Sequence, residues 1–220
     1  MPKRAVLFDI DGTLVDSNDA HVAAWCSAFA EEGFHFDRAT IHAQVGKGGD
    51  NLVPSLIPDA PEEVQERVDH AHGEIYKREY LDSVKPFPHA RDLLARTSNA
   101  GKAVVLASSA SRPEVDHYIE LLDAGDIIDG ATSKDDVGHS KPCPDIFEAA
   151  LKQAGVGSGE AIVVGDTPYD IRAARRTGVD TIALRSGRFP DSVLEAESPV
   201  AIYDDVADLL AKFEISPIEA

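Results

Sequence analysis

Four short polar clusters in this chain between them hold the side chains able to do chemistry. The first is Asp9-Ile10-Asp11-Gly12-Thr13-Leu14. Two carboxylates at a spacing of two, leaving a strand, can converge on one point, and Gly12 lets the backbone turn tightly. Oxygen ligands of this kind suit a hard cation such as Mg2+. One carboxylate can then act as nucleophile while the other gives and takes a proton. Taken alone, these residues also read as a solvated turn. The second cluster begins at Ser108, which closes the apolar run 104–107 and can donate to a phosphate oxygen. Ser111-Arg112-Pro113-Glu114 follows with the spacing of a capping box opening a helix, whose positive end would face the same place. On this cluster alone, a strand-end hydroxyl bonded to backbone is the simpler reading of Ser108.

The third cluster is Lys141-Pro142-Cys143-Pro144-Asp145, in which Pro144 opens a helix and Lys141 lies on the stiffened segment before it. A fixed ammonium there can neutralise an aspartate nucleophile and a phosphoryl group together. An ordinary surface lysine is the competing reading, although few are held between a loop and two prolines. The fourth is Val163-Val164-Gly165-Asp166-Thr167-Pro168-Tyr169-Asp170. Asp166 falls in a strand-to-helix loop, where it can bind a metal directly. Asp170 falls in the first helical turn, where it can bind through water or simply gain from the helix N-terminus. Asp9, Asp11, Asp166 and Asp170 together require a cation, while Lys141 and Ser108 require an anion. A metal with a phosphate satisfies both.

These clusters need a scaffold that brings strand ends together. Residues 4–8 read as a short buried strand. A helical block follows, with Ala20, Ala23, Ala24, Ser27 and Ala28 at helical spacing up to Glu32-Gly33, and another helix over 62–81. The character changes at Lys85-Pro86-Phe87-Pro88. Beyond it, helices over 89–100, 113–122, 144–154, 168–177 and 205–213 alternate with strands over 102–107, 161–164, 181–184 and 200–203. Such alternation predicts a parallel sheet covered on both faces, with ligands beyond the carboxyl ends of its strands. The tail after Phe213 is expected to be loosely held.

Composition narrows the partners. With 21 basic and 39 acidic residues the formal charge is −18, which repels nucleic acid and anionic membranes at long range. An anionic substrate would need local positive charge at its site. No apolar stretch is long enough to cross a bilayer, and the N-terminus does not read as a secretory signal. Two cysteines, Cys26 and Cys143, without metal-type spacing fit a reduced, cytoplasmic setting.

The four clusters, in this order, resemble the motifs of the haloacid dehalogenase superfamily, in the subgroup with a helical cap inserted after the first strand, similar to phosphoglycolate phosphatases and β-phosphoglucomutases. The resemblance implies an α/β fold with a Rossmann-like parallel sheet core, helices on both faces, and an inserted all-helical cap domain. The core would comprise residues 1–14 and 85–220, and the cap residues 15–84. Carried over by position, Asp9 would attack phosphorus and form an aspartyl-phosphate, and Asp11 would serve as proton donor and acceptor. Ser108 and Lys141, with Ser109 beside them, would hold the phosphoryl group. Mg2+ would be bound by Asp9, the backbone carbonyl of Asp11, and Asp166, with Asp170 supporting the metal shell. Asp11 separates the chain from the dehalogenases of the superfamily, which lack that second aspartate.

The cap is less legible. His21 and Trp25 are four apart and share a helix face. The run 16–25 looks like the first cap helix of β-phosphoglucomutases, whose histidine links closure to catalysis. His21 is therefore counted with the substrate-binding residues, while Trp25 reads as packing. Those mutases also hold a distal phosphate with an arginine, where this chain has Gly46-Lys47-Gly48-Gly49-Asp50. Lys47 cannot reproduce a bidentate fork. Lys47 and Gly49 are candidate substrate-loop residues, while Lys77 and Lys134 read as solvated. The expected function is a Mg2+-dependent phosphatase of a small phosphorylated molecule, working as a monomer or small homo-oligomer. The alternatives are a phosphosugar mutase and a catalytically silent metabolite-binding protein.

Overall fold

A computed structural model of the chain describes residues 2–220. Strand β1 (Ala5–Phe8) is followed by four helices in succession, α1 (Asn18–Glu31), α2 (Arg38–His42), α3 (Gly49–Leu56) and α4 (Glu62–Glu79). Strands and helices then alternate: α5 (Ala90–Asn99), β2 (Ala103–Ala107), α6 (Arg112–Leu121), β3 (Gly130–Thr132), α7 (Asp145–Ala154), β4 (Ala161–Gly165) and α8 (Pro168–Thr177). The chain ends with β5 (Asp180–Leu184), α9 (Asp191–Glu195), β6 (Ala201–Tyr203) and α10 (Val206–Ala211). The six strands form one parallel sheet in the order β3-β2-β1-β4-β5-β6.

β1 is Ala-Val-Leu-Phe with every residue buried, because alternate side chains meet different helical layers. Val6 and Phe8 join Leu93 and Leu94 of α5, Val115 and Tyr118 of α6 and Leu209 of α10. Ala5 and Leu7 join Ile146 and Phe147 of α7 and Ala173 and Ala174 of α8. The strands therefore read as apolar runs rather than alternating ones, as expected of a Rossmann-like sheet.

The helical insert has its own apolar cluster, built on Trp25 and Phe29 of α1, Leu52 and Val53 of α3, and Val68 and Ile75 of α4. Its two chain crossings lie side by side: the Asp16 N–H donates to Lys85 O at 2.9 Å, and the Phe87 N–H to Leu14 O at 2.9 Å.

β3, α3 and α9 escape the sequence pattern. β3 is only Gly-Ala-Thr. α3 opens on glycine and contains Pro54, both poor helix signals.

The expectation of a loose tail is corrected. Ile218 is fully buried in the cluster that holds Phe213 and Leu209, Ser216 is also buried, and Ile215, between Phe213 and Ser216, is 84% exposed. One apolar residue well beyond the last helix is enough to dock the tail, too sparse a signal for periodicity to reveal. Ile218→Ala should lower unfolding free energy by about 2–5 kcal/mol, whereas Ile215→Ala should stay within about 0.5 kcal/mol. Urea denaturation of both variants checks this; equal effects would show that the tail is not docked.

Candidate active site

Chain order along the sheet reverses between β1 and β4: β2 and β3 lie on one side of β1, β4, β5 and β6 on the other. A crevice at the carboxyl ends is expected at such a switch point, and Asp9 and Asp166 each follow one of these two strands directly. The Asp9 N–H extends the ladder by donating to Val164 O at 2.9 Å, which ties the two acidic loops together. The site is therefore set by strand register, not by loop conformation alone.

Asp9, Asp166 and Asp170 are all buried and present one oxygen each within 4.8 Å of one another. Lys141, 1% exposed, enters this cluster from the loop before α7. Its Nζ lies 2.6 Å from Asp9 Oδ1 and 2.7 Å from Asp170 Oδ1. The other Asp170 oxygen caps α8, accepting the Thr167 hydroxyl at 2.6 Å and the Thr167 N–H at 3.0 Å. Both Asp170 oxygens are thus engaged by protein, and the residue anchors Lys141. Asp166 accepts from Thr13 Oγ1 at 2.8 Å and from Asn18 Nδ2 at 3.0 Å. Gly12, at φ +73°, passes so close to Asp166 and Asn18 that a Cβ would collide with both.

Three buried carboxylates around one ammonium are short of positive charge. Burial and the Asp170 carboxylate push Asp9 up to about 7, with Lys141 opposing. Burial, Asp170 and Asp9 push Asp166 well above the usual carboxylate range. Burial disfavours the Lys141 ammonium, but Asp170 and Asp9 outweigh it and hold the amine charged. A divalent cation among these oxygen donors would relieve the excess negative charge, so the donor set fits a hard metal ion.

The Asp11 side chain lies outside this cluster. Its Oδ1 accepts from Ser17 Oγ at 2.6 Å and Tyr118 OH at 2.9 Å, and His21 Nε2 is 3.0 Å away. Burial opposes ionisation of Asp11, but His21 and the two hydroxyls outweigh it and hold the carboxyl below its ordinary value. In turn, burial disfavours the His21 imidazolium, while Asp11 and more distant carboxylates raise it overall. His21 Nδ1 is 3.2 Å from His72 Nε2. Burial and the neighbouring His21 push His72 well down, leaving it neutral. Both nitrogens of His21 are thus occupied by protein, although its ring borders the cavity. Trp25 stacks on His72 with ring centroids 3.7 Å apart, as a packing residue would.

A cavity of about 90 Å3 opens between sheet domain and insert, lined among others by Asp9, Asp11, Lys141, Lys134, Lys77 and Asp69. Ser109 lines it with a hydroxyl that has no partner. Ser108 is fully buried and does not line it; its Oγ accepts the Ala110 N–H at 3.0 Å, the backbone-bonded arrangement. The second cluster therefore reaches the cavity through Ser109, with Ser111 and Glu114 forming the expected capping box behind it. Lys77, exposed, and Lys134, half-buried, stand on the wall at its solvent side. Lys47 is also there, but its ammonium is taken up by Gln44 Oε1 at 2.5 Å and Ser55 Oγ at 2.9 Å. Gly48 and Gly49 allow close approach to Ser140 and Asp69, side chains that a Cβ would strike. Their absence of side chains serves the packing of this loop rather than mobility.

Sequence reasoning missed Thr13, Ser17, Asn18, His72, Tyr76 and Tyr118. Thr13 stood inside the first cluster and could have been read there, since a hydroxyl two residues beyond Asp11 faces the same crevice. Ser17 lies only six positions from Asp11 but carries no distinguishing spacing, and Asn18, His72, Tyr76 and Tyr118 depend on contacts between elements far apart in the sequence.

The model of the haloacid dehalogenase-like hydrolases matches residues 6–184. A pyrophosphatase PpaX of Oceanobacillus iheyensis is 28% identical over 96% of this chain and 96% of its own. Phosphoglycolate phosphatase of Escherichia coli is 28% identical over 94% of this chain and 91% of its own. Among solved structures, a hydrolase from Pseudomonas syringae superposes with a TM-score of 0.90 at 30% identity, covering 97% of this chain and 99% of that one. The chain belongs to the haloacid dehalogenase-like hydrolases. Among the described residues no helix is long and apolar enough to cross a membrane.

The charge imbalance has a measurable consequence. With the Asp9 pKa raised from 3.8 to about 7, the folded protein holds a proton that the unfolded chain releases. That contribution to stability is greatest below pH about 4 and is lost as pH rises through about 7. Without metal, wild type should lose stability relative to Asp9→Asn across this window, read by denaturant titration at several pH values. Parallel pH profiles would contradict the assignment.

Proposed function

We propose that the enzyme is a Mg2+-dependent phosphomonoesterase that removes phosphate from a small organic phosphate through an aspartyl-phosphate on Asp9. The observation that carries this reading is Lys141, buried between Asp9 and Asp170 at 2.6 and 2.7 Å, beside an acidic cluster short of one cation. Asp9 attacks phosphorus as the ester bond breaks, and Asp11 gives a proton to the departing oxygen. Asp11 then takes a proton from water, which attacks the same phosphorus and frees Asp9. Lys141 neutralises Asp9 and the phosphoryl oxygens, and Ser109 supplies a hydroxyl from the end of β2, with the buried Ser108 bracing the turn behind it. Asp9, the backbone carbonyl of Asp11, and Asp166 would hold Mg2+, with Asp170 behind them. When bound, the ion supplies positive charge against the phosphoryl group.

The insert, residues 15–84, works in this reading as a cap that closes over the substrate and excludes water. The small cavity favours a small leaving group, and Lys77 and Lys134 on its wall favour one that carries polar or anionic atoms. Phosphoglycolate and pyrophosphate, the substrates in the relatives' names, are natural first candidates. Among the described residues no arginine lines the cavity, which disfavours the mutase reading and its need to hold a second phosphate.

Phosphate release should depend on Mg2+ across a panel of p-nitrophenyl phosphate, phosphoglycolate, pyrophosphate and hexose phosphates. Asp9→Asn should lower it by about three orders of magnitude or more while the fold persists. Turnover that requires a bisphosphate and releases little phosphate would replace this reading with the mutase. Tight Mg2+-dependent binding without turnover would replace it with a binding protein. Asp166→Asn should raise the Mg2+ concentration needed for half-maximal activity; an unchanged requirement would remove Asp166 from the metal site.

A further inference from the structure

The hydrogen bonds of Asp11 are one-sided. Ser17, His21 and Tyr118 all meet Oδ1, and among the described residues none meets Oδ2. A carboxyl group that must carry a proton in and out needs this division, with one oxygen held and the other left for the substrate.

Tyr118 spends its only hydrogen on Asp11. In its 2.6 Å contact with Tyr76 the Tyr76 hydroxyl is therefore the donor. The result is a directed chain, Tyr76 to Tyr118 to Asp11, in which each bond polarises the next. The two tyrosines come from different parts of the protein. Tyr118 lies on α6, with its ring in the apolar layer against the sheet. Tyr76 lies on α4 of the insert, with its ring in the insert's own cluster. Tyr76 also stacks on His21, ring centroids 3.8 Å apart, so it touches both aromatic partners of Asp11.

We infer that Tyr118, backed by Tyr76, is a positioning residue that holds Asp11 Oδ1 and leaves Oδ2 to exchange the proton, and that this arrangement is complete only when the insert sits on the sheet domain. The inference rests on the proton-carrier role proposed for Asp11. In the first half-reaction Oδ2 gives its proton to the departing oxygen as the ester P–O bond breaks and the bond from Asp9 to phosphorus forms. In the second it takes a proton from the attacking water as that bond is cleaved. Neither tyrosine exchanges a proton in either step.

Tyr118→Phe and Tyr76→Phe keep the rings and remove one hydroxyl each. The readout is the rate of leaving-group release in a single turnover with Mg2+, compared between an alkyl phosphate and p-nitrophenyl phosphate. The alkyl ester needs its leaving oxygen protonated; p-nitrophenolate does not. Tyr118→Phe should slow release from the alkyl ester about tenfold, because an Asp11 no longer held at Oδ1 presents Oδ2 out of line with the leaving oxygen, and slow p-nitrophenyl phosphate much less. Tyr76→Phe should act in the same direction and more weakly. In an Asp11→Asn background, Tyr118→Phe should add nothing. Equal slowing of both substrates, or an undiminished effect in the Asp11→Asn background, would overturn the positioning role and leave a packing role. If Asp11→Asn itself spares the alkyl ester, the proton-carrier reading of Asp11 falls, and this inference with it.

Discussion

The ammonium of Lys141, fully enclosed and in contact with Asp9 and Asp170, is the interaction on which the site depends. Like charges this close and this dry do not tolerate one another, and breaking such a buried pair by removing one partner typically costs about 3–5 kcal/mol. The sheet meets the difficulty by topology. β1 and β4 are neighbours at the switch point and deliver Asp9 and Asp166, the first turn of α8 delivers Asp170, and the loop before α7 delivers Lys141. Two of the acids have a further restraint: Asp166 has Thr13 and Asn18, and Asp170 has Thr167. The crevice is cross-braced by these bonds, and its donor set suits one more cation.

The insert answers a different need. Its apolar cluster is separate from those of the sheet domain, while many of its links to that domain are polar. Asp50 accepts the Ser140 N–H at 3.0 Å, and Asn51 Nδ2 donates to Ser140 O at 3.0 Å. Tyr169 OH donates to Ala43 O at 2.5 Å, and His42 Nε2 lies 3.0 Å from Gly187 O. Groups of this kind can be rehydrated when the two parts separate, so parting them exposes less apolar surface than opening either core. Two of these contacts grip Ser140, the residue just before Lys141. The seating of the insert and the placement of the ammonium are thereby tied through one peptide bond.

Much of this was legible in the sequence because the chemistry is local there. Asp9 and Asp11 share one turn, Asp166 and Asp170 share one strand-to-helix junction, and Lys141 is framed by prolines. The sheet followed from apolar runs alternating with helices, with β3 lost because Gly-Ala-Thr carries no apolar signal. What escaped depends on three-dimensional proximity. Tyr118 lies 107 positions from Asp11, and Asn18 lies 148 from Asp166. No spacing rule links them. Ser108 and Ser109 could not be separated either, because the turn after β2 decides which hydroxyl faces the cavity. His21, a candidate substrate partner, borders the cavity while both of its nitrogens meet protein groups.

The claim at the centre of this account is that Asp9 carries the phosphoryl group between substrate and water. The most direct measurement is rapid acid quench of the Mg2+-loaded enzyme with 32P-labelled substrate, followed by peptide mapping of protein-bound label. The account predicts a transient, hydroxylamine-sensitive label on the peptide containing Asp9, formed before phosphate appears and absent from Asp9→Asn. Phosphate released at the full rate with no protein-bound label at any time, or label that persists in Asp9→Asn, would contradict it.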